Sequence, residues 1–158
     1  MDVRNLLTPQ RVGCRLAARS RKHALDIVSG LFARDSGGAL DATEIFDAMI
    51  SRERLGCTAL GNGVAMPHAR ISGIEAPMAA FVRLAEPVDF DTPDDRPVEL
   101  IFALLVPAER EACQSEELAE LSRIFADAEF RRQLRAARSA RALYELFPAA
   151  PLKAAVNA

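Results

Sequence analysis

Apolar positions recur at helical spacing in two stretches near the N-terminus. Leu25, Val28, Leu31 and Phe32 predict a helix over 21–34. Ser20 stands where an N-cap hydroxyl can accept from a free amide of the first turn, and Asp35-Ser36-Gly37-Gly38 breaks the pattern. Ile45, Phe46, Met49 and Ile50 predict a second helix over 42–53, opened by the D-x-x-E pattern of Asp41 and Glu44. Ahead of both, residues 1–11 read as a loose start. Val12, Cys14 and Leu16 alternate with Gly13, Arg15 and Ala17, the period of a short half-buried strand.

The middle of the chain changes period. Asn62-Gly63 between Leu55–Leu60 and Val64–Met66 is a hairpin signal. Pro67 cannot donate to a sheet ladder, so the strand must end, bulge or lie at an edge there, which puts His68 at a strand end. Met78–Leu84 reads as a strand, Glu86–Asp91 as a turn and a short extended piece, and Thr92–Arg96 as a surface turn. Val98–Val106 is the most apolar run; it is short enough for a strand buried on both faces, and Pro107 ends it. Three helices follow, over about 112–126, 128–137 and 140–147, the last two capped by Asp127 and Ser139. Strand, helices, strands and helices in this order predict an α/β fold, a mixed β-sheet sandwiched by helices. The expected organisation is a single domain over 1–147, with a flexible tail over 148–158.

Composition narrows the function. Apolar residues are 50 % of the 158, enough for a core, and the net charge of −2 is spread along the chain. Without a basic face, nucleic acid is not an expected partner. Without an apolar run of about 20 residues, membrane insertion is not expected, and the N-terminus lacks a charged-then-apolar signal pattern, so a cytoplasmic protein is expected. The three cysteines, Cys14, Cys57 and Cys113, are widely spaced and form no CxxC. They read as ordinary thiols in a reducing compartment rather than as disulfides or zinc ligands.

Two histidines make a histidine-rich metal site improbable, and neither a Walker loop nor a nucleophile elbow is present. No metal and no cofactor are expected. His23 reads as an exposed helix residue. His68 is the candidate for chemistry: a neutral imidazole offers a lone-pair nucleophile near neutrality, and proline fixes the backbone just before it.

The run Arg52-Glu53-Arg54, followed by Gly61-Asn62-Gly63-Val64-Ala65-Met66-Pro67-His68, resembles the signature of the IIA proteins of the phosphoenolpyruvate-dependent phosphotransferase system. The resemblance is to the fructose/mannitol class, and most to its nitrogen-regulatory branch. Phe81–Leu84, Pro87–Asp91 and Pro97–Ala108 extend it, and it covers roughly residues 3–147. It implies the fructose/mannitol-type IIA fold and a phosphotransferase role with a phosphohistidine intermediate. The histidine of P-H, here His68, would accept a phosphoryl group from a phosphocarrier of the HPr or NPr type, on Nε2. The arginine upstream, here Arg52, would stabilise the phosphate, with Gly61, Gly63 and Pro67 as neighbours. A backbone carbonyl is the expected partner of the other ring nitrogen.

One position departs from the pattern. Many members carry a second histidine where this chain has Gln114, and glutamine can hydrogen-bond a phosphate but carries no charge. That substitution bears on onward transfer rather than on phosphorylation of His68. The resemblance implies a regulatory protein that modulates targets, such as kinases or potassium transport proteins, by its phosphorylation state. The alternatives are a sugar-specific component that passes phosphate to a IIB domain, or an interaction module that is not phosphorylated.

Overall fold

The strand that organises the molecule is the apolar run. In the computed structural model, which describes residues 3–109 and 115–148, Val98–Pro107 (β6) is buried at every position but Glu99. Its neighbours are the antiparallel Met78–Val88 (β5) on one side, and the parallel pieces Val64–Ala65 (β3) and His68–Ile71 (β4) on the other. Val12–Leu16 (β1) runs parallel to the far edge of β5, and Ala59–Gly61 (β2) returns antiparallel to β3. The result is a six-stranded mixed sheet in the order β1-β5-β6-β3-β2, with β4 also on β6.

Alternation along these strands divides the core into two. Ala65, Ala80, Val82, Ile101, Ala103 and Leu105 face Arg21–Asp35 (α2) and Ala42–Leu55 (α3). Phe81, Leu100, Phe102 and Leu104 face the opposite way, onto Leu121, Phe125, Leu134, Leu143 and Phe147 of the C-terminal segment. That segment holds the helices Ser115–Ala126 (α4), Ala128–Ala136 (α5) and Ala140–Leu146 (α6). Phe125 and Phe147 meet both Phe81 and Phe102 with ring centroids 5.1–6.3 Å apart, so this half of the core is an aromatic cluster. Such pairs add about 0.5–1.5 kcal/mol each beyond their burial. The expected sheet sandwiched by helices is the observed architecture.

The helix starts follow the sequence logic. Ser20 accepts from the His23 amide, Asp41 from Thr43, Asp127 from Glu129 and Ser139 from Ala142. His23 is half-buried and its Nδ1 accepts from the Arg19 amide, a local structural contact.

Three expectations change. The N-terminal stretch is not loose: Val3–Leu6 (α1) and a 3₁₀ turn at Pro9–Arg11 bury Val3, Leu6 and Leu7. Buried Arg11 pins the stretch through Asp35 at 2.5 Å and the carbonyls of Ala79 and Leu6. β5 also runs on to Val88 through the stretch read as a turn, with a register irregularity between Arg83 and Val88. His68 opens a strand of its own, β4, which prolongs the line of β3 along β6 after the break at Met66-Pro67. Pro148 is held by the Arg4 amide, which donates to its carbonyl at 3.2 Å; residues 149–158 of the expected tail lie outside the described residues.

Candidate functional site

Pro67 breaks the line of β3 without losing the sheet. It lacks an amide hydrogen, so it leaves none unpaired, and its carbonyl still accepts from the Leu104 amide at 2.9 Å. The residue before a proline is held extended. The Met66 carbonyl thereby leaves the ladder and meets His68 Nδ1 at 3.1 Å. A carbonyl only accepts, so Nδ1 carries the proton and Nε2 carries the lone pair. This is the backbone carbonyl expected for the ring, and it belongs to the residue two before the histidine.

Nε2 faces Arg52. The Arg52 Nε–H donates to it at 3.3 Å, across 16 residues of sequence. Arg52 lies in the last turn of α3, and its Nη1 also donates to the Gly56 carbonyl at 3.1 Å. That second bond satisfies a carbonyl at the helix end and holds the guanidinium in place. The imidazole therefore sits between a fixed acceptor and a fixed cation.

Its protonation equilibrium reflects the same surroundings. The His68 pKa lies below its ordinary value, first because burial disfavours the charged ring and then because of the Arg52 cation. The Met66 carbonyl and the Glu53 carboxylate pull the other way. The ring is thus kept neutral, the form with a nucleophilic nitrogen.

The ring opens into a depression of about 520 Å³ at the edge of the sheet. Leu55, Leu104, Val106 and Leu118 supply apolar walls, and Arg52 and Arg70 supply positive charge. Arg70 lies two residues beyond His68 on β4, hence on the same face of the strand. Leu55 is 84 % exposed at the end of α3, beside the histidine. Neither Arg70 nor Leu55 was singled out from the sequence. The signal for Arg70 was the i, i+2 spacing from His68, usable only once the strand was known. For Leu55 it was a large apolar residue at a polar helix end.

Gly61 and Gly63 are placed elsewhere. Val64 pairs with Leu100 and His68 with Leu104, so the hairpin tip precedes His68 by more than four residues of strand, about 13 Å at the usual rise. Both glycines serve the turn. Gly61 has φ +89°, Asn62 φ +58° and Gly63 φ +80°, and a Cβ on Gly63 would come within 2.6 Å of Arg135 Nη2. Their proximity to His68 in sequence is undone by the extension of the strand between them. Pro67 directly precedes His68 in the chain, while Gln114 and Cys113 lie outside the described residues.

Among the described residues no three His, Cys, Asp or Glu side chains gather as a metal site, and no helix is long and apolar enough to cross a membrane.

Comparison with known proteins gives a consistent picture. Residues 5–149 match the model of the phosphoenolpyruvate-dependent sugar phosphotransferase system, EIIA 2. A nitrogen regulatory protein of Pseudomonas aeruginosa is 39 % identical over 144 residues, 91 % of this chain and 93 % of that protein. One from Bradyrhizobium diazoefficiens is 34 % identical over 155 residues, 98 % of this chain and all of its relative (100 %). The crystal structure of nitrogen regulatory protein IIA-Ntr from Neisseria meningitidis superposes with a TM-score of 0.79 at 35 % identity, covering 91 % of this chain and 97 % of that one. The chain therefore belongs to the EIIA 2 family of the phosphoenolpyruvate-dependent sugar phosphotransferase system.

Proposed function

We propose that this protein is a regulatory IIA protein of the nitrogen branch, phosphorylated on His68 Nε2 by a phosphocarrier of the HPr or NPr type. The observation that carries this reading is the orientation of the ring. Nδ1 is engaged by the Met66 carbonyl, and Nε2 is left with its lone pair towards a guanidinium at the mouth of a depression.

The step is a direct exchange. The Nε2 lone pair attacks phosphorus in line, a nitrogen–phosphorus bond forms, and the bond to the carrier breaks with its electron pair staying on the carrier atom. No proton has to move for the transfer. Attack gives the ring positive character, which the Nδ1–H bond to the Met66 carbonyl accommodates. Charge on the equatorial oxygens is met by the Arg52 guanidinium, whose Nε–H turns from the ring lone pair to a phosphoryl oxygen while Nη1 keeps the Gly56 carbonyl. Arg70 adds a second cation on the same wall. The apolar rim around Leu55 suits the buried centre of a protein–protein contact, and the arginines suit the charge-steered approach of a phosphorylated partner.

Phosphorylation adds roughly −1.5 to −2 charge to this surface. A target protein that docks over an apolar rim with two arginines would therefore bind the two states differently. That is the proposed basis of regulation, supported by the nitrogen regulatory relatives. The test is incubation with phosphoenolpyruvate, enzyme I and the phosphocarrier, followed by a IIB domain. The regulatory reading expects an acid-labile label on wild type and little onward transfer. Efficient transfer to the IIB domain would replace it by a sugar-transport role, and no label on wild type would overturn phosphoacceptor chemistry altogether.

A further inference from the structure

Glu53 follows Arg52 at the end of α3, yet its side chain is only 3 % exposed. Its Oε1 accepts a short hydrogen bond from the Thr58 hydroxyl. Among the described residues its Oε2 has no hydrogen-bond donor; Arg21 Nη1 stands at 3.9 Å, an ion-pair distance beyond hydrogen bonding. Arg21 is itself held by the Phe90 carbonyl at 3.3 Å. A buried carboxylate with one oxygen unsatisfied costs folding free energy, and stability alone does not account for it.

The contacts of Thr58 lead to the histidine. The Thr58 carbonyl accepts from the Met66 amide at 3.0 Å, and the Met66 carbonyl accepts from His68 Nδ1 at 3.1 Å. Glu53 thus fixes Thr58, Thr58 fixes Met66, and Met66 fixes the ring. The negative end of this chain reaches Nδ1 through the Met66 carbonyl, and the Arg52 cation faces Nε2. Both charges favour a proton on Nδ1 and a lone pair on Nε2.

We propose that Glu53 is the positioning residue of His68: acting through Thr58 and the Met66 carbonyl, its carboxylate holds the imidazole in the Nδ1-protonated form and balances the positive character that the ring acquires in the transfer. The second half of this assignment rests on the phosphoacceptor reading above; the first half does not. Thr58 is a structural link in the same chain, and its hydroxyl rather than its methyl group carries the effect.

The test is ring-nitrogen NMR of ¹⁵N-labelled full-length protein, read alongside steady-state phosphorylation. In wild type the His68 pattern is that of Nδ1–H with a bare Nε2. In Glu53→Gln and Thr58→Val, the share of the Nε2–H form rises severalfold, and kcat falls about 10-fold with the KM for the carrier unchanged, as when an orienting partner is lost. Thr58→Ser, which keeps the hydroxyl, restores the wild-type ring pattern. Wild-type ring shifts in both Glu53→Gln and Thr58→Val overturn the proposal. If Glu53→Gln does not fold, the contrast between Thr58→Val and Thr58→Ser decides: equal ring patterns in those two refute it. A ring that changes as described in a protein that takes no phosphate leaves the positioning intact and removes the phosphoacceptor reading instead.

Discussion

Removing the guanidinium that faces Nε2 is the perturbation whose size the structure sets most directly. Arg52 Nε is 3.3 Å from the nitrogen that would carry the phosphoryl group, and once it turns to hydrogen-bond an oxygen of that group the centre of its charge lies about 4 Å from that oxygen. One unit charge at that distance is worth about 4 kcal/mol at an effective dielectric of 20. The depression is open and Arg52 is only half-buried, so solvent screening leaves half that figure, about 2 kcal/mol. Arg52→Ala should slow phosphorylation by about 30-fold. Arg52→Lys keeps a charge on a shorter, unforked head and should recover part of the loss. Arg52 also holds the Gly56 carbonyl, so the variant's melting temperature should be measured beside its rate. The assay is single-turnover transfer from the phosphorylated carrier at saturating concentration. A folded Arg52→Ala that transfers within about threefold of wild type would refute the electrostatic role.

Four further outcomes follow from the same geometry. Burial and Arg52 hold the His68 pKa below its ordinary value, so a pH–rate profile should stay flat down through pH ~6.5 and fall only beneath it. The unfolded histidine protonates first, so the contribution of the neutral ring to stability is fully present above pH ~6.5 and is lost as pH falls through the lowered folded value. The stability difference between wild type and His68→Gln, from urea melts, should be constant above neutrality and shift against wild type in acid. Leu55→Asp places a charge on the exposed apolar rim; it should raise the KM for the carrier about 10-fold with kcat nearly unchanged, and an unchanged KM would exclude that rim from docking. Phe125→Ala empties the centre of the aromatic cluster and should cost about 3–5 kcal/mol in denaturant unfolding, with the ring of His68 unaffected.

What could be read from the sequence was local. Ser20 and Asp41 cap their helices because a short oxygen side chain at the right offset suffices. The Asn62-Gly63 turn is visible because two left-handed residues in a row admit few alternatives. β6 is visible because burial on both faces leaves an unbroken apolar run. The hidden features depend on long-range pairing. α1 has four residues, too few to show a period, and is held by contacts to Pro148 and the core. β4 also has four residues and exists because β6 offers it a partner.

The candidate site divides along the same line. His68 and Arg52 were expected together from the family resemblance, and the fold brings them to 3.3 Å. Gly61 and Gly63 were grouped with them from the same motif, and the extended strand between carries the turn away from His68. Glu53 was hidden by its setting: between two arginines at a helix end it reads as a solvated charge, and its burial follows from Thr58 and Arg21 reaching it from other elements.

The central claim is that Nε2 of His68 is the atom that takes phosphate. The direct measurement is the ¹⁵N–³¹P coupling pattern of the protein after incubation with phosphoenolpyruvate, enzyme I and the carrier. A single acid-labile phosphohistidine is predicted, with the coupling on Nε2 of His68, Nδ1 still protonated, and no signal in His68→Ala. Phosphate on Nδ1, on His23, or retained in His68→Ala would contradict it.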